Sequence, residues 1–506
     1  MRINIEKTSG KPIYIQIRDQ IRDMIISNIL PQGFLLPPER KLSQSLGVNR
    51  STVLKAYQEL KADGFIDSRI GSGTFVLPQN QSPVNVLRGN VYPLPWYQYF
   101  NKNIEDANKS IISDIIEFTS HEDIISFAGG MPSPKLYPIE LSKEIFHQLA
   151  DDISAQMLQN SPVEGYLPLR ESIVDLLKGR GISANLKEVM ILSGSQQGLD
   201  YATRVFLNQG DIVVTEDPTY LGAVKLFKSA GARVMGMPVD EQGMRVDMLE
   251  SLLSRYKPKL IYTLPTFQNP TGAVMSLERR YKLLDLAYKY QIPVLEDDPY
   301  GDIRYEGAYV PPLKALDKHG YVMYLSTFSK VMFMGFRVGW IAASQQVIER
   351  FALNKQISDF HVNTFAQCYF DKFLRMDGYA KQLRTICKEY KSKRDAMLEA
   401  LEKYKKCDVS WVIPEGGYYI WCKIPECISQ QKLVSKAAAK GVVFVPGDAF
   451  HTYEGYKEKH IRLNYTFPTI EQIDAGIRSL MEAIELEMEE GAQYIRNTEY
   501  VSRPIV

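Results

Sequence analysis

Apolar residues recur along the chain with two different periods, and the change of period marks its organisation. Ile17, Ile21, Met24 and Ile25 share one face of a predicted helix over residues 14–28. Pro31, Gly33, Pro37 and Pro38 then interrupt the pattern. Residues 39–46 predict a short helix burying Leu42 and Leu46, and Gly47 suits the left-handed turn after it. Asn49 or Ser51 is placed to cap a third helix running to residue 63, with Val53, Leu54, Tyr57 and Leu60 as its inner face. Gly64 ends that helix. Residues 65–69 and 74–77 then predict two short strands joined through Gly71-Ser72-Gly73.

Residues 79–120 hold no steady period and carry Pro83, Pro93 and Pro95, so they read as a linker, ordered toward 96–100 and helical beyond. From residue 123 short β-rich runs (189–192, 212–215, 260–264, 294–296, 321–325 and 339–342) alternate with helical stretches. That alternation predicts an α/β domain with a mainly parallel sheet. A smaller α+β subdomain follows over about 355–490, with strands near 411–412 and 418–421, then a tail over 491–506. The expected order is a small N-terminal domain over 1–78, a linker over 79–120 and a large domain over 121–490.

Charge sharpens this division. Residues 1–78 carry eleven Lys and Arg against seven Asp and Glu, a surplus of four; the remainder has 49 against 52. The basic excess therefore lies on the small N-terminal part, as nucleic-acid contact requires. No apolar run reaches the roughly 18 residues of a membrane helix. Gln16, Arg18 and Asp19 break the apolar stretch near Ile13, so no signal peptide is predicted and a cytoplasmic location is expected. The five cysteines form no CxxC pair, and Cys422 and Cys427 lack further ligands nearby, so no metal site is expected.

In a helix-turn-helix the second helix points its N-terminal residues at base edges and phosphates. Here that end is Arg50-Ser51-Thr52, with Lys55 one turn on; Arg40 opens the preceding helix, and Arg69 and Gly71 flank the hairpin. Arginine offers a two-pronged donor to guanine or phosphate, and hydroxyls suit phosphate oxygens. The runs Leu36-Pro37-Pro38-Glu39-Arg40-Lys41-Leu42, Leu46-Gly47-Val48-Asn49-Arg50-Ser51-Thr52-Val53 and Gly71-Ser72-Gly73-Thr74-Phe75-Val76 resemble the GntR family of winged-helix regulators across residues 10–77. The resemblance implies binding to a double-stranded DNA operator.

Pyridoxal 5′-phosphate needs a lysine for its aldehyde, a carboxylate for its pyridine nitrogen, a donor for its 3′ oxygen, and amides, hydroxyls and an arginine for its phosphate. The chain offers each in turn. Lys330 closes Ser326-Thr327-Phe328-Ser329-Lys330, and Arg337 follows in Gly335-Phe336-Arg337. Asp297 and Tyr300 follow a strand-like run, Asn269 opens Asn269-Pro270-Thr271-Gly272, Ser195 and Gln196 open a helix after another strand, and Tyr220 is placed to stack on the ring. Together these resemble the fold-type I aminotransferases, nearest the kynurenine/2-aminoadipate branch, across residues 121–488. The resemblance implies that Lys330 forms the Schiff base, Asp297 pairs the pyridine nitrogen, and Tyr300 and Asn269 hold the 3′ oxygen. It gives the phosphate to Ser195, Gln196, Thr327, Ser329 and Arg337. It also makes Arg462 the clamp for an effector carboxylate, the alternative being an arginine on a strand surface.

One position departs from the family. A tyrosine that reaches the partner subunit's phosphate is replaced by Asn160, which places efficient turnover in doubt. The order of the two domains is similar to that of MocR-type regulators, which implies a homodimer that senses pyridoxal phosphate itself or an amino-acid-like amine through Schiff-base chemistry. The competing expectation is a working aminotransferase with an accessory DNA-binding head.

Overall fold

The computed structural model describes residues 3–5, 11–27, 29–69, 73–77, 99, 124–453 and 458–501, with backbone alone at 69, 155, 156 and 491–501. Gly71 and nearly all of the expected linker lie outside the described residues. The chain divides into two compact units, Met1–Asn101 and Lys102–Val506.

The N-terminal unit packs helices Ile13–Ile26, Glu39–Leu46 and Arg50–Ala62 with a three-stranded sheet ordered Leu35–Leu36, Gly73–Val76, Ile66–Arg69. Gly47 adopts φ 60°, the left-handed turn that separates the last two helices. Asn49 caps the third helix by accepting from the Ser51 amide at 3.2 Å, so of the two cap candidates the first is used. The inner face of that helix is Val53, Ala56, Tyr57 and Leu60, a spacing of three, four and seven residues. Leu54 faces outward, contrary to the sequence expectation, because it sits one residue out of that phase. Tyr57 donates to the Pro37 carbonyl at 2.8 Å, tying the helix to the double-proline turn before Glu39.

The C-terminal unit is built on an eight-stranded sheet ordered Val189–Leu192, Gly339–Ala342, Val322–Thr327, Val294–Asp297, Leu260–Thr263, Ile212–Asp217, Arg233–Asp240, Gly243–Met244. Two of these strands are antiparallel to their neighbours: Gly339–Ala342 against both of its own, and Gly243–Met244 against Arg233–Asp240. The strands Val189–Leu192 and Val322–Thr327 are buried on both faces, which is why 189–192 and 322–325 read as apolar runs. In the first strand Val189 and Ile191 enter one apolar cluster while Met190 and Leu192 enter another.

The smaller subdomain carries an antiparallel sheet ordered Ser410–Trp411, Tyr419–Ile424, Lys459–Asn464, Val445–Pro446. It also recruits the start of the unit: Ile125–Ser126 pairs in parallel with Val442–Val443, and the Phe127 carbonyl accepts from the Asn464 amide at 2.8 Å. Its last helix, Ile470–Val501, continues past residue 490, into the stretch expected to be a tail.

Replacing Asn49 with alanine removes the third helix's cap and should lower the local stability of the N-terminal unit by about 1 kcal/mol. Hydrogen exchange of amides in Arg50–Ala62 measures this, and unchanged protection would contradict the capping role.

Candidate functional site

Parallel strands end at the same edge of a sheet, so the loops that follow them converge. Ser195 and Gln196 follow Val189–Leu192, Tyr220 follows Ile212–Asp217, Asn269 follows Leu260–Thr263, Asp297 ends Val294–Asp297, and Lys330 follows Val322–Thr327. Gly339–Ala342 runs the other way, so its beginning lies at this edge and delivers Arg337 there.

Lys330 closes a single turn, Phe328–Lys330, which Thr327 caps by accepting from the Ser329 amide at 3.1 Å. Phe328 stacks on Phe370 with ring centres 4.2 Å apart, and Tyr418 donates to the Lys330 carbonyl, so the turn is anchored on both sides. The Lys330 amine donates to the Gly130 carbonyl at 2.6 Å. Burial pushes that amine below the usual lysine range, opposed chiefly by the Tyr419 hydroxyl, and Arg462 and Arg337 push it the same way as burial.

Asp297 is 3% exposed and accepts from the Tyr262 hydroxyl at 3.0 Å through Oδ2. Its Oδ1 is buried and meets no donor among the described residues. Burial, with Asp298 adding to it, pushes the carboxyl up to about 7. A buried carboxylate with one oxygen bare suits a protonated ring nitrogen. Such a cation would satisfy the oxygen and bring the acid back into its charged form.

Arg462 is buried, 7% exposed, which removes the strand-surface alternative. Its Nη1 donates to Asn269 Oδ1 at 3.0 Å and its Nη2 to the Ala128 carbonyl at 2.6 Å, while Nε has no partner among the described residues. With its carbonyl oxygen committed to Arg462, the Asn269 amide presents its NH2 as the remaining donor. Tyr300 places its hydroxyl 3.1 Å from that of Tyr419.

The phosphate candidates surround the start of helix Ser195–Phe206, which has no side-chain cap and leaves its first amides available. Thr327 Oγ1 donates to Ser329 Oγ at 3.0 Å, and Arg337 reaches Ser329 Oγ at 3.5 Å. Gly194 shows why glycine precedes the helix: it sits at φ 78°, and a Cβ there would lie 2.6 Å from the Arg337 guanidinium. Tyr220 donates to Gln196 Oε1 at 3.1 Å. Each demand of pyridoxal phosphate thus meets a residue of the right chemistry at one edge, and the bare Asp297 oxygen fits the group directly. Sequence reasoning missed Tyr262, Gly130, Tyr418 and Tyr419, whose partners lie far away in the chain.

On the N-terminal unit Arg40, Arg50, Ser51 and Lys55 are exposed and Thr52 is half-buried, while Arg69 closes the strand Ile66–Arg69. Arg50 pairs with Glu39 at 3.2 Å, but an exposed pair of this kind is worth about 0–1 kcal/mol and does not withhold the guanidinium from a phosphate. Lys55 rests 4.0 Å from the centre of the Tyr14 ring.

A sheet of this order, with its lysine on the turn after an inner strand, defines the class as a fold-type I, pyridoxal-phosphate-dependent unit. The chain belongs to the family of class I and II aminotransferases, which it matches over residues 135–480, and its residues 13–76 match the gntR family of bacterial regulatory proteins. The aromatic-amino-acid aminotransferase 1 of Thermococcus litoralis is 41% identical over 401 residues, 78% of this chain and 96% of that protein. The solved kynurenine aminotransferase of Pyrococcus horikoshii is 40% identical, covers 78% of this chain and 98% of its own, and superposes with a TM-score of 0.74. The HTH-type transcriptional regulator YisV of Bacillus subtilis is 34% identical over 476 residues, 94% of this chain and 96% of that protein. The regulator spans both units, whereas the two aminotransferases leave out about a fifth of the chain. The protein is thus a transcription regulator that joins a GntR DNA-binding domain to an aminotransferase-like domain, the MocR-type arrangement. Among the described residues no helix is long and apolar enough to cross a membrane.

Asp297, Glu216 and Glu296 are all buried carboxyls pushed up to about 7, chiefly by burial. Between about pH 4 and 7 the folded protein then holds protons that the unfolded chain has released, so stability falls as pH rises through that window. Thermal unfolding of cofactor-free protein should show this decline, and Asp297→Asn should make it shallower. An identical slope in the variant would contradict the weakened acidity of Asp297.

Proposed function

We propose that the C-terminal unit is the regulator's sensor, holding pyridoxal phosphate at Lys330 and reading an amine that carries a carboxylate. The observation that carries this reading is the meeting at one sheet edge of Lys330, Asp297 Oδ1 and the Nε of buried Arg462, the last two without a hydrogen-bond partner among the described residues. When bound, the cofactor supplies an aldehyde that condenses with an amine and a ring that withdraws electrons. Lys330, with its proton affinity lowered by burial, supplies the nucleophilic amine. Asp297 stabilises positive charge at the ring nitrogen, while Tyr300 and Asn269 donate to the 3′ oxygen. Ser195, Gln196, Thr327, Ser329 and Arg337 hold the phosphate, and Tyr220 covers the ring. Arg462 takes the effector's carboxylate, and pyridoxal phosphate itself remains an effector in this scheme. Arg40, Arg50, Ser51, Thr52, Lys55, Arg69 and Gly71 form the operator-reading surface, and the protein works where chromosomal DNA is, in the cytoplasm.

We also propose a homodimer. Leu353 and Ile357 share one face of helix Gln345–Ser358 and are 53% and 84% exposed, and Phe360 just beyond is 66% exposed. An apolar group of this kind calls for a partner surface. Asn160 is exposed as well, so it is free to face a second subunit.

A regulator responds only if its effector binds two states unequally. A coupling of about 1–3 kcal/mol changes operator affinity roughly 5- to 150-fold. A second reading, a working transaminase, is favoured by the 41% identity to an aminotransferase. Steady oxo-acid formation with a 2-oxo acid co-substrate distinguishes it from a sensor that reacts once.

Genome-wide mapping of bound sites, with and without candidate amines, supplies the operator for the decisive test. On that operator, Lys330→Ala should keep binding but lose the response to amines, whereas Arg50→Ala should lose at least about tenfold in affinity with the cofactor spectrum intact. An amine response that survives in the lysine variant would refute the sensor chemistry.

A further inference from the structure

Tyr419 opens the strand Tyr419–Ile424, and no role assigned above uses it. The side chain is buried and joins the two ends of the site. Its hydroxyl lies 3.1 Å from that of Tyr300, and the Arg462 guanidinium lies over its ring, 4.2 Å from the centre. Gly130 shows how closely this placement is defined. A Cβ at Gly130 would stand 2.4 Å from the Tyr419 hydroxyl but 3.6 Å from the ring carbon that bears it. The backbone at Gly130 is not left-handed, so glycine is needed there for space rather than conformation. The space it leaves is the space of one hydroxyl group.

We propose that Tyr419 is a positioning residue with two separable actions: its ring supports the Arg462 guanidinium that receives the effector's carboxylate, and its hydroxyl donates to Tyr300, strengthening the hydrogen bond that Tyr300 gives to the cofactor's 3′ oxygen. The inference rests on the sensor reading of Lys330 and Arg462. Hydroxyls in series polarise one another, so a donor behind Tyr300 makes Tyr300 a better donor in front. A cation held over a ring away from water gains more than one held in solvent. Strong donation to the 3′ oxygen stabilises negative charge there, and the adjoining lysine-linked nitrogen then holds its proton less tightly. Removing the Tyr419 hydroxyl should therefore raise the pH at which that nitrogen loses its proton. The charged and titratable groups facing Tyr300 are Tyr419, Arg462, Tyr220, Tyr418 and Lys330, and those facing Lys330 are Tyr419, Arg462, Asp297, Arg337, Tyr300 and Tyr418. All except Tyr419 are unaltered in the variants below.

The test uses the full chain loaded with pyridoxal phosphate, with the pH midpoint of the cofactor's absorbance as one readout and the affinity for propionate, a carboxylate without an amine, as the other. Tyr419→Phe should raise the midpoint by about half a unit to one unit and leave propionate affinity within about twofold. Tyr419→Leu, which also removes the ring, should weaken propionate at least about tenfold. Gly130→Ala should reproduce the midpoint of Tyr419→Phe by displacing the hydroxyl, and should add little in the Tyr419→Phe background. An unmoved midpoint in Tyr419→Phe, or additive effects of the Gly130 and Tyr419 changes, would overturn the hydroxyl's role. Unchanged propionate affinity in a folded Tyr419→Leu would overturn the ring's role; should that variant fail to fold, the same measurement on Tyr419→Val decides the point. Failure of the unaltered protein to take up pyridoxal phosphate would instead refute the sensor reading itself.

Discussion

A buried polar group left without a hydrogen bond costs a folded chain about 1–3 kcal/mol, and more for a charged one. This chain keeps such an oxygen on Asp297, at the end of an inner strand, with a second carboxyl, Asp298, next to it. Tyr262 satisfies one oxygen of Asp297, and no other described residue reaches the second. The surrounding sheet bears that cost through strands buried on both faces, and the arrangement becomes favourable once a cation faces the oxygen. The positions of Lys330, Tyr300 and Asn269 all make sense relative to that one unsatisfied atom.

The same edge is completed by an exception to the parallel sheet. Had Gly339–Ala342 run with its neighbours, Arg337 would lie at the far edge of the sheet from Lys330. The antiparallel reversal puts the cation beside the uncapped start of helix Ser195–Phe206, where both the helix dipole and the guanidinium favour an anion. The GntR domain and the aminotransferase-like domain lie in two units, each with its own apolar core. The basic surplus of the chain accompanies the unit that needs it.

Much of this was legible in the chain because the signals are local. Strand 189–192 shows as an apolar run because both its faces are covered, and Gly47 shows as a turn because its conformation demands glycine. The lysine turn and the Ser195 helix start are short motifs whose chemistry lies within a few residues. What escaped is non-local or out of phase. Leu54 is apolar enough to read as an inner residue, but helical phase selects Ala56. The strand Arg233–Asp240 went unpredicted because Gly236 and Pro238 interrupt it and its residues are mostly half-buried or exposed. Tyr419 looked like an ordinary strand residue because its partner Tyr300 lies 119 positions away.

The segment Ile124–Ser126, the first described part of the large unit, does more than extend a sheet. Within four residues of it, the Ala128 and Gly130 carbonyls receive the Arg462 guanidinium and the Lys330 amine. The two side chains that would handle the carboxylate and the aldehyde are thus tethered to one short ribbon of backbone. A displacement of that ribbon therefore moves the acceptors of both side chains together.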